Sequence, residues 1–567
     1  MNHRTPEYCG SCLRSILAFG KRVLHRWLEL QVSHRGGKYS VERLLALEQY
    51  SRNSSLARVL FVCFCTPLPT VFIILGQELV PLQNPKDGSY ANYGFWFRIG
   101  FVTGVVAYAT AAQSYFLVDR VTISQRQLLL IGLFVGTTFP AITMVSVSTL
   151  VFPVPFIVVS GLPLFFVLWI TSICATVGIH FVQDITVSWD EFFQYVKFVC
   201  TETLMVVVYP AYQTLFTTVI NTRYELPVIL MLPLIKMVMK NLLWINKPHV
   251  QDLMPEAVIF TADFFNAFYL ATCMQRVSSL STICIIMTID LSQNVIALYC
   301  LHKHTKDTSA YIRGVPGVDE SNLLKLIRSL CHDPNFSTKQ IHSGINLRSC
   351  LQYPLSSASQ DFVDRMETIL TDRGTSAKHN TSCSTRSKIL PFKEILTVHT
   401  AINSVGVNRS PTDQMIKPKV IGKTHSGIPS IIPHHTDRSH ILSDTLETLF
   451  TSECHVLTEY LEALIPMLYG CFVLAMVRLP NAQYHIDLND ITIENVNPTV
   501  KSVFIYGILE IVSFVVHVAV MQRNCGMNSL YQLAFVLETQ IVLVQGNLMS
   551  WALITLAFRV IHFGTNV

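Results

Sequence analysis

Charge is what this sequence has least of. Only 14% of its 567 residues are Asp, Glu, Lys or Arg, against about a quarter in an ordinary soluble domain. Water is therefore excluded as the solvent for much of the chain. The net charge of +5 is too small to make nucleic acid an expected partner. Signatures of chemistry are missing as well. Gly36-Gly37-Lys38-Tyr39-Ser40 lacks the upstream glycine and the Lys-Ser/Thr pair of a phosphate loop. No nucleophile elbow, HExxH helix or dinucleotide fingerprint occurs. His249 and Asp252 are three residues apart, a spacing too common to indicate an acid–base pair. A disulfide framework is absent too, because many of the 15 cysteines lie inside apolar runs (Cys63, Cys65, Cys174, Cys200, Cys273, Cys284, Cys471), where they act as small core hydrophobes. Cys9-Gly-Ser-Cys12 is a lone pair without a second at zinc-ligand spacing, and S-acylation fits it as well as metal does. No catalytic residue, metal site or cofactor is predicted.

What is present is apolar length. Half of the residues are hydrophobic and the mean hydropathy is +0.41. Many runs reach about 20 residues, enough to cross the hydrocarbon of a bilayer as a helix. The alternation over about 10 residues that marks a membrane β-barrel is absent. The fold class expected is all-α: a polytopic helical membrane protein with about eleven (ten to twelve) transmembrane helices. Eight spans are expected in a membrane domain over 59–301, at about 59–77, 98–118, 128–150, 156–179, 198–220, 226–245, 256–276 and 279–301. Three more are expected over 460–567, at about 460–478, 501–521 and 531–558. Thr66-Pro67-Leu68-Pro69 should kink the first, and Pro140, Pro163, Pro210 and Pro233 interrupt others. Broken helices can line solute sites, though proline is common in membrane helices generally.

Residues 1–58 form a basic amphipathic segment, with ten Lys/Arg against four acids, an excess that predicts a cytoplasmic N-terminus. Within it, 14–33 places Leu17, Val23, Leu24, Trp27 and Leu28 on one helical face. That pattern suits a surface helix meeting anionic lipid. A second short amphipathic helix is expected at 41–50. No apolar core suits a signal peptide. Lys236 and Lys240 share one face of the 226–245 run and are expected to snorkel to the membrane surface.

Between the two membrane domains, 302–459 is a long polar loop, expected to be partly disordered, with short helices at 321–331 and 361–370. Helical periodicity returns around 441–460. Eleven of the 19 histidines fall in this loop, irregularly spaced as solvated side chains would be. Charge in the flanking loops places it in the cytosol. The sequons at Asn335, Asn380 and Asn408 would require a lumenal face. Protein partners, if any, would meet this loop.

The candidate functional residues are polar groups inside apolar runs: Asp263 and Asn266, then Asp290, Gln293 and Asn294, then Glu510, His517 and Glu538. A carboxylate at bilayer depth costs about 2.5–3.5 kcal/mol on insertion scales, so these should face protein. Their helices are expected to pack around one polar centre. That centre could be a solute, ion or proton path, or it could simply fix helix packing through hydrogen bonds.

The phrases YSVERLLALEQYSR, RVLFVCFCTPLPTVFI, NYGFWFRIG and LMPEAVIFTADFFNAFYLATCMQ together resemble a large family of multi-pass membrane proteins of oomycetes such as Phytophthora. The resemblance covers the N-terminal half and the closing helices, and it implies neither an activity nor site residues. Three functions remain open: a transporter or channel-like protein for a solute or ion, a membrane scaffold or signalling protein acting through the central loop, and an integral-membrane enzyme.

Overall fold

The computed structural model describes residues 37–118, 121–147, 152–154, 156–178, 186–220, 222–246, 251–277, 279–313, 346–372, 437–489 and 491–563. The expected surface helix at 14–33, the Cys9/Cys12 pair, His249, the helix at 321–331 and the three sequons lie outside these residues.

Helices make up the fold, with an isolated β bridge between His485 and Val560. The first helix, α1 (Val41–Asn53), starts where the Ser40 side chain accepts from the Arg43 N–H, which satisfies a donor the helix leaves open. Next come α2 (Leu56–Cys65) and α3 (Leu68–Glu78), one span broken at Pro67. The carbonyls freed there are met by side chains from distant helices. Tyr460 donates to the Cys63 carbonyl at 2.8 Å and Gln545 to the Thr66 carbonyl at 2.5 Å. The expected kink is thus answered by protein, as hydrocarbon requires.

α4 (Tyr93–Leu117) and α5 (Gln125–Val147) form a close hairpin. Gly100 and Gly104 of α4 face Gly132 and Gly136 of α5, so that a Cβ on Gly100 would lie 2.5 Å from the Gly136 carbonyl oxygen. Small residues four apart on both helices allow this approach. α6 (Leu162–Val177) follows. Its 16 residues rise about 24 Å, short of the ~30 Å hydrocarbon thickness, and a separate helical turn, Ile157–Ser160, precedes it within the span expected at 156–179. Then come α7 (Trp189–Val219), α8 (Met231–Ile245, led in by a turn at Glu225–Ile229), α9 (Met254–Arg276) and α10 (Leu280–Arg313).

In the central segment, α11 (Ser357–Asp372) covers the helix expected at 361–370. The strand-like stretch before it docks on α1, through Val41 N–H to the Asn346 carbonyl and Glu42 N–H to the Leu347 carbonyl, both 3.0 Å. Residues 346–372 are therefore packed, where a loose loop was expected. The loop also ends earlier than 459. α12 runs unbroken from Asp437 to Met476, and from residue 443 on much of it is buried, which makes its first half part of the membrane domain. α13 (Val496–Cys525) stops where Gly526 takes φ +61°. α14 (Ser529–Thr539) and α15 (Ile541–Ala557) meet at an angle of 83°, so the single span expected at 531–558 is a broken one.

Among the described residues nine helices are long and apolar enough to cross a membrane, or ten with the bent pair as one span. The difference from eleven lies in the short α6 and the broken α14–α15.

The helices are arranged about α9. Its apolar window is wholly buried, whereas that of α10 is only 11% buried. α9 packs on α7, α8, α12, α13 and α15, and a helix apolar all round belongs in such a place. α10 lies outside, packed on α12 and α13. The two runs from 256 to 301 are consecutive in sequence but are not one packed hairpin.

Candidate functional site

α9 carries three ionic tiers. With a rise of 1.5 Å per residue, Glu256 stands roughly 10 Å before Asp263, and Arg276 about 20 Å beyond it.

At the middle tier Asp263 is fully buried and meets two lysines of α8. Lys236 Nζ lies 3.1 Å from Oδ1 and Lys240 Nζ 2.7 Å from Oδ2, and the Thr458 hydroxyl of α12 donates to Oδ2 at 2.9 Å. Lys236 also pairs with Glu462. The lysines do not snorkel outward: spaced i, i+4 on one face, they turn inward because a buried carboxylate attracts an ammonium more strongly than the distant surface does. On the far side of this group α10 turns its one polar face in. Tyr506 donates to Asp290 Oδ2 at 2.7 Å, and Asn294 donates to Glu510 Oε2 at 3.0 Å. Asp290 and Asn294 are one turn apart on α10, as Tyr506 and Glu510 are on α13, so these two bonds set the Asp290 and Glu510 carboxyl groups side by side.

A cavity of about 120 Å³ opens between α8, α9, α10 and α12, lined among others by Lys236, Lys240, Asp290, His455, Glu459 and Glu462. That volume holds roughly four waters at ~30 Å³ each. A smaller cavity of about 30 Å³ adjoins it, sharing Pro233, Lys236, Asp290 and Gln293 and lined also by Asn266. Asn266 is 5% exposed, and its Oδ1 has no hydrogen-bond partner.

Of the residues expected at one polar centre, Asp263, Asn266, Asp290, Gln293, Asn294 and Glu510 are brought together. His517 lies further along α13, buried, with its ring 6.3 Å from that of His455. Glu538 is elsewhere. It lies on α14 and pairs with Arg58 and, at 2.8 Å, with Tyr50. The bend after Thr539 separates it from the centre. Sequence reasoning missed Lys236, Lys240, Glu459 and Glu462 as members of the centre, and it missed Glu202 of α7. Glu202 is buried and accepts from Gln113 at 2.8 Å and Thr261 at 3.2 Å. Glu459 and Glu462 are spaced i, i+3 at the start of an apolar run, where Glu459 fell to the end of the expected loop and Glu462 to the edge of the expected span at 460–478.

The tier at the N-terminal end of α9 was also missed. α1 is not a surface helix there: its first two turns are buried, and Arg43 is fully buried. Arg43 Nη2 lies 2.5 Å from Glu256 and 2.8 Å from Glu453, and Nη1 donates to the Asp252 carbonyl. Gln540, at the α14–α15 break, donates to Glu256 at 2.7 Å, and Tyr39 donates to Glu453. Burial alone would lower the Arg43 guanidinium, but Glu256 and Glu453 hold it well above its ordinary range, so it stays charged.

At the other end Asp487 is shared by Arg276 and Arg559, and Arg559 lies 5.0 Å over the Phe268 ring. Beside them Arg98 pairs with Glu78 at 2.8 Å, and His485 approaches the same carboxylate at 3.2 Å. His562 closes this end. Its Nε2–H donates to the Gln83 carbonyl at 2.6 Å and to Asn92 Oδ1 at 3.1 Å. Burial pushes the His562 imidazole down to about 4, below the ~6.5 of an exposed histidine. The unfolded chain therefore binds the proton first, and stability present above pH 6.5 is lost as pH falls from there towards 4, by up to about 1.4 kcal/mol per pH unit. Thermal unfolding of the purified protein at pH 7 and pH 5 should show this drop. In His562→Gln, whose amide can still donate to Gln83, the drop should shrink. An unchanged pH dependence would assign it to other groups.

Fold and site together define a multi-pass helical membrane protein with a charged, cavity-bearing centre. No protein-family model matches the chain, and neither a curated protein nor a solved structure matches it.

Proposed function

We propose that the protein is a membrane transporter for a small polar solute, bound in the cavity between α8, α9, α10 and α12. The observation that carries this reading is a cavity of about 120 Å³ with Lys236, Lys240, Asp290 and Glu462 on its wall, beside the buried helix α9. Charges buried only to hold helices together are a poor means to that end, because apolar side chains of similar volume stabilise as well or better. A polar cavity walled by several membrane-length helices suits a site that opens to each side in turn. A scaffold acting through the central segment needs no such cavity.

On this reading the α1 end of α9 is cytosolic, as the basic N-terminal segment argues, and residues 14–33 rest on anionic lipid there. Membership of the oomycete family that the sequence resembles is part of the same proposal. Purified protein in liposomes should take up at least one member of a panel of radiolabelled amino acids, sugars and carboxylic acids. Asp263→Asn should cut that uptake at least tenfold while eluting from a sizing column as the wild type does. If the variant transports at the wild-type rate, the cavity is not the solute site.

A further inference from the structure

The centre contains more acid than base. Asp263, Asp290, Glu459, Glu462 and Glu510 face Lys236 and Lys240, with no arginine among them. Five carboxylates against two ammonium groups leave an excess that hydrocarbon does not tolerate as bare charge. Lys236 and Lys240 are already committed to Asp263 and Glu462. The remaining deficit falls on the Asp290 side of the cavity.

There the geometry is specific. Asp290 lies one turn before Asn294 on α10 and Glu510 one turn after Tyr506 on α13, so the two hydrogen bonds between these helices set the carboxyl groups side by side, and two neighbouring carboxyl groups away from water hold one proton between them more readily than both ionise. Tyr506 and Asn294 hold the outer oxygens of the pair. Asn266, which lines the small cavity, is at least nine-tenths buried and its Oδ1 acceptor has no partner. An unpartnered acceptor on a cavity wall calls for a positive or proton-donating occupant. Among the described residues no group of three Asp, Glu, His or Cys is arranged to hold a metal ion. The 30 Å³ space is about the size of one water.

We propose that Asp290 and Glu510 form an exchangeable proton site, the point at which a proton is carried through the centre. Resting on the transporter reading, this names the coupling ion. The proton moves between oxygens: the O–H bond on one carboxyl breaks as the bond to its partner forms. Asp290, which lines both cavities, passes it to cavity water as hydronium, and no electron is transferred. The charged and titratable groups facing the pair are Lys236 from α8, Glu459 and Glu462 from α12, and Tyr506 from α13, with Lys240 of α8 and His455 of α12 on the same cavity wall as Asp290. Loss of the proton draws Lys236 towards Asp290 and away from Asp263 and Glu462. That shift loosens the bridge between α8 and α9, which is how protonation would be linked to movement.

The test needs no solute. Infrared spectra of the full-length protein in lipid vesicles should contain the carbonyl stretch of a protonated carboxylic acid at neutral pH. The band should titrate as pH rises, and it should shift in D₂O within minutes, because the cavity brings water to Asp290. Glu510→Gln, which fixes an amide donor against Asp290 in place of the shared proton, should remove that band and its titration while leaving elution and thermal unfolding near the wild type. Asp290→Asn serves as the second variant should the first fail to fold. An absent band, or one that neither titrates nor exchanges, would overturn the proposal. So would a titration that moves when sodium or potassium replaces choline, since the site would then take an alkali cation. Failure of solute uptake would remove the transporter reading but leave these spectra unchanged, so the two can fail separately.

Discussion

Arg43→Met should be among the most damaging single substitutions in the chain, lowering stability by about 3–5 kcal/mol, the range for removing one partner of a buried ion pair. The reason lies in what remains. Glu256 and Glu453 would share a space without solvent access around the fully buried Arg43 site, and the Asp252 carbonyl would lose its donor. The amide of Gln540 and the hydroxyl of Tyr39 can each serve one carboxylate but neutralise neither. Lysine should rescue poorly, because one ammonium cannot fork to two carboxylates and a carbonyl as a guanidinium does. Combining Arg43→Met with Glu256→Gln and Glu453→Gln should recover most of the loss, since the stranded charge is then gone. Thermal unfolding in detergent, with the share of monodisperse protein, measures this. If Arg43→Met alone melts with the wild type, α1 is not held by its buried charge.

Gly136→Val should damage the fold by a different route. The new Cβ would stand 2.8 Å from the Gly100 carbonyl oxygen and 3.1 Å from the Gly104 Cα. Both are backbone atoms that no rotamer change can move, so α4 and α5 must separate along their length. Overpacking usually costs about 1–3 kcal/mol and sometimes more, and the upper end applies where backbone meets backbone. Gly76→Ala supplies the control, because a Cβ there meets nothing within 4 Å. In a helix that change should be neutral or stabilising by up to about 1 kcal/mol. Equal melting of the two variants would mean that the close approach of α4 and α5 contributes nothing.

The membrane class and most helix positions were legible because they depend on local quantities. A run of about 20 apolar residues is a property of one segment, and Ser40, Ser55 and Gly526 mark helix ends by their own chemistry. Length decided less well where a run was interrupted: α6 is too short, and the last run is bent at Gln540, whose side chain is drawn to Glu256.

Partner choice was not legible. In soluble proteins the apolar stripe of a helix tells its inner face from its outer one. In a bilayer both faces are apolar, and the period that would orient a helix fades. α9 and α10 thus looked alike as sequence, yet one is the buried axis and the other a peripheral helix.

Membrane-length helices, and Asp263, Asp290 and Glu510 as carboxylates that apolar runs should turn towards protein, could be read residue by residue, because the cost of exposing a carboxylate to hydrocarbon is a local quantity. Which charges meet depends on how the helices pack. Lys236 and Lys240 close on Asp263, Arg43 closes on Glu256 and Glu453, and Glu538 is turned away to Arg58. Arg43 and Glu453 are 410 residues apart, and no local pattern links partners at such distances. An unpaired buried charge must find its opposite wherever packing brings one within reach.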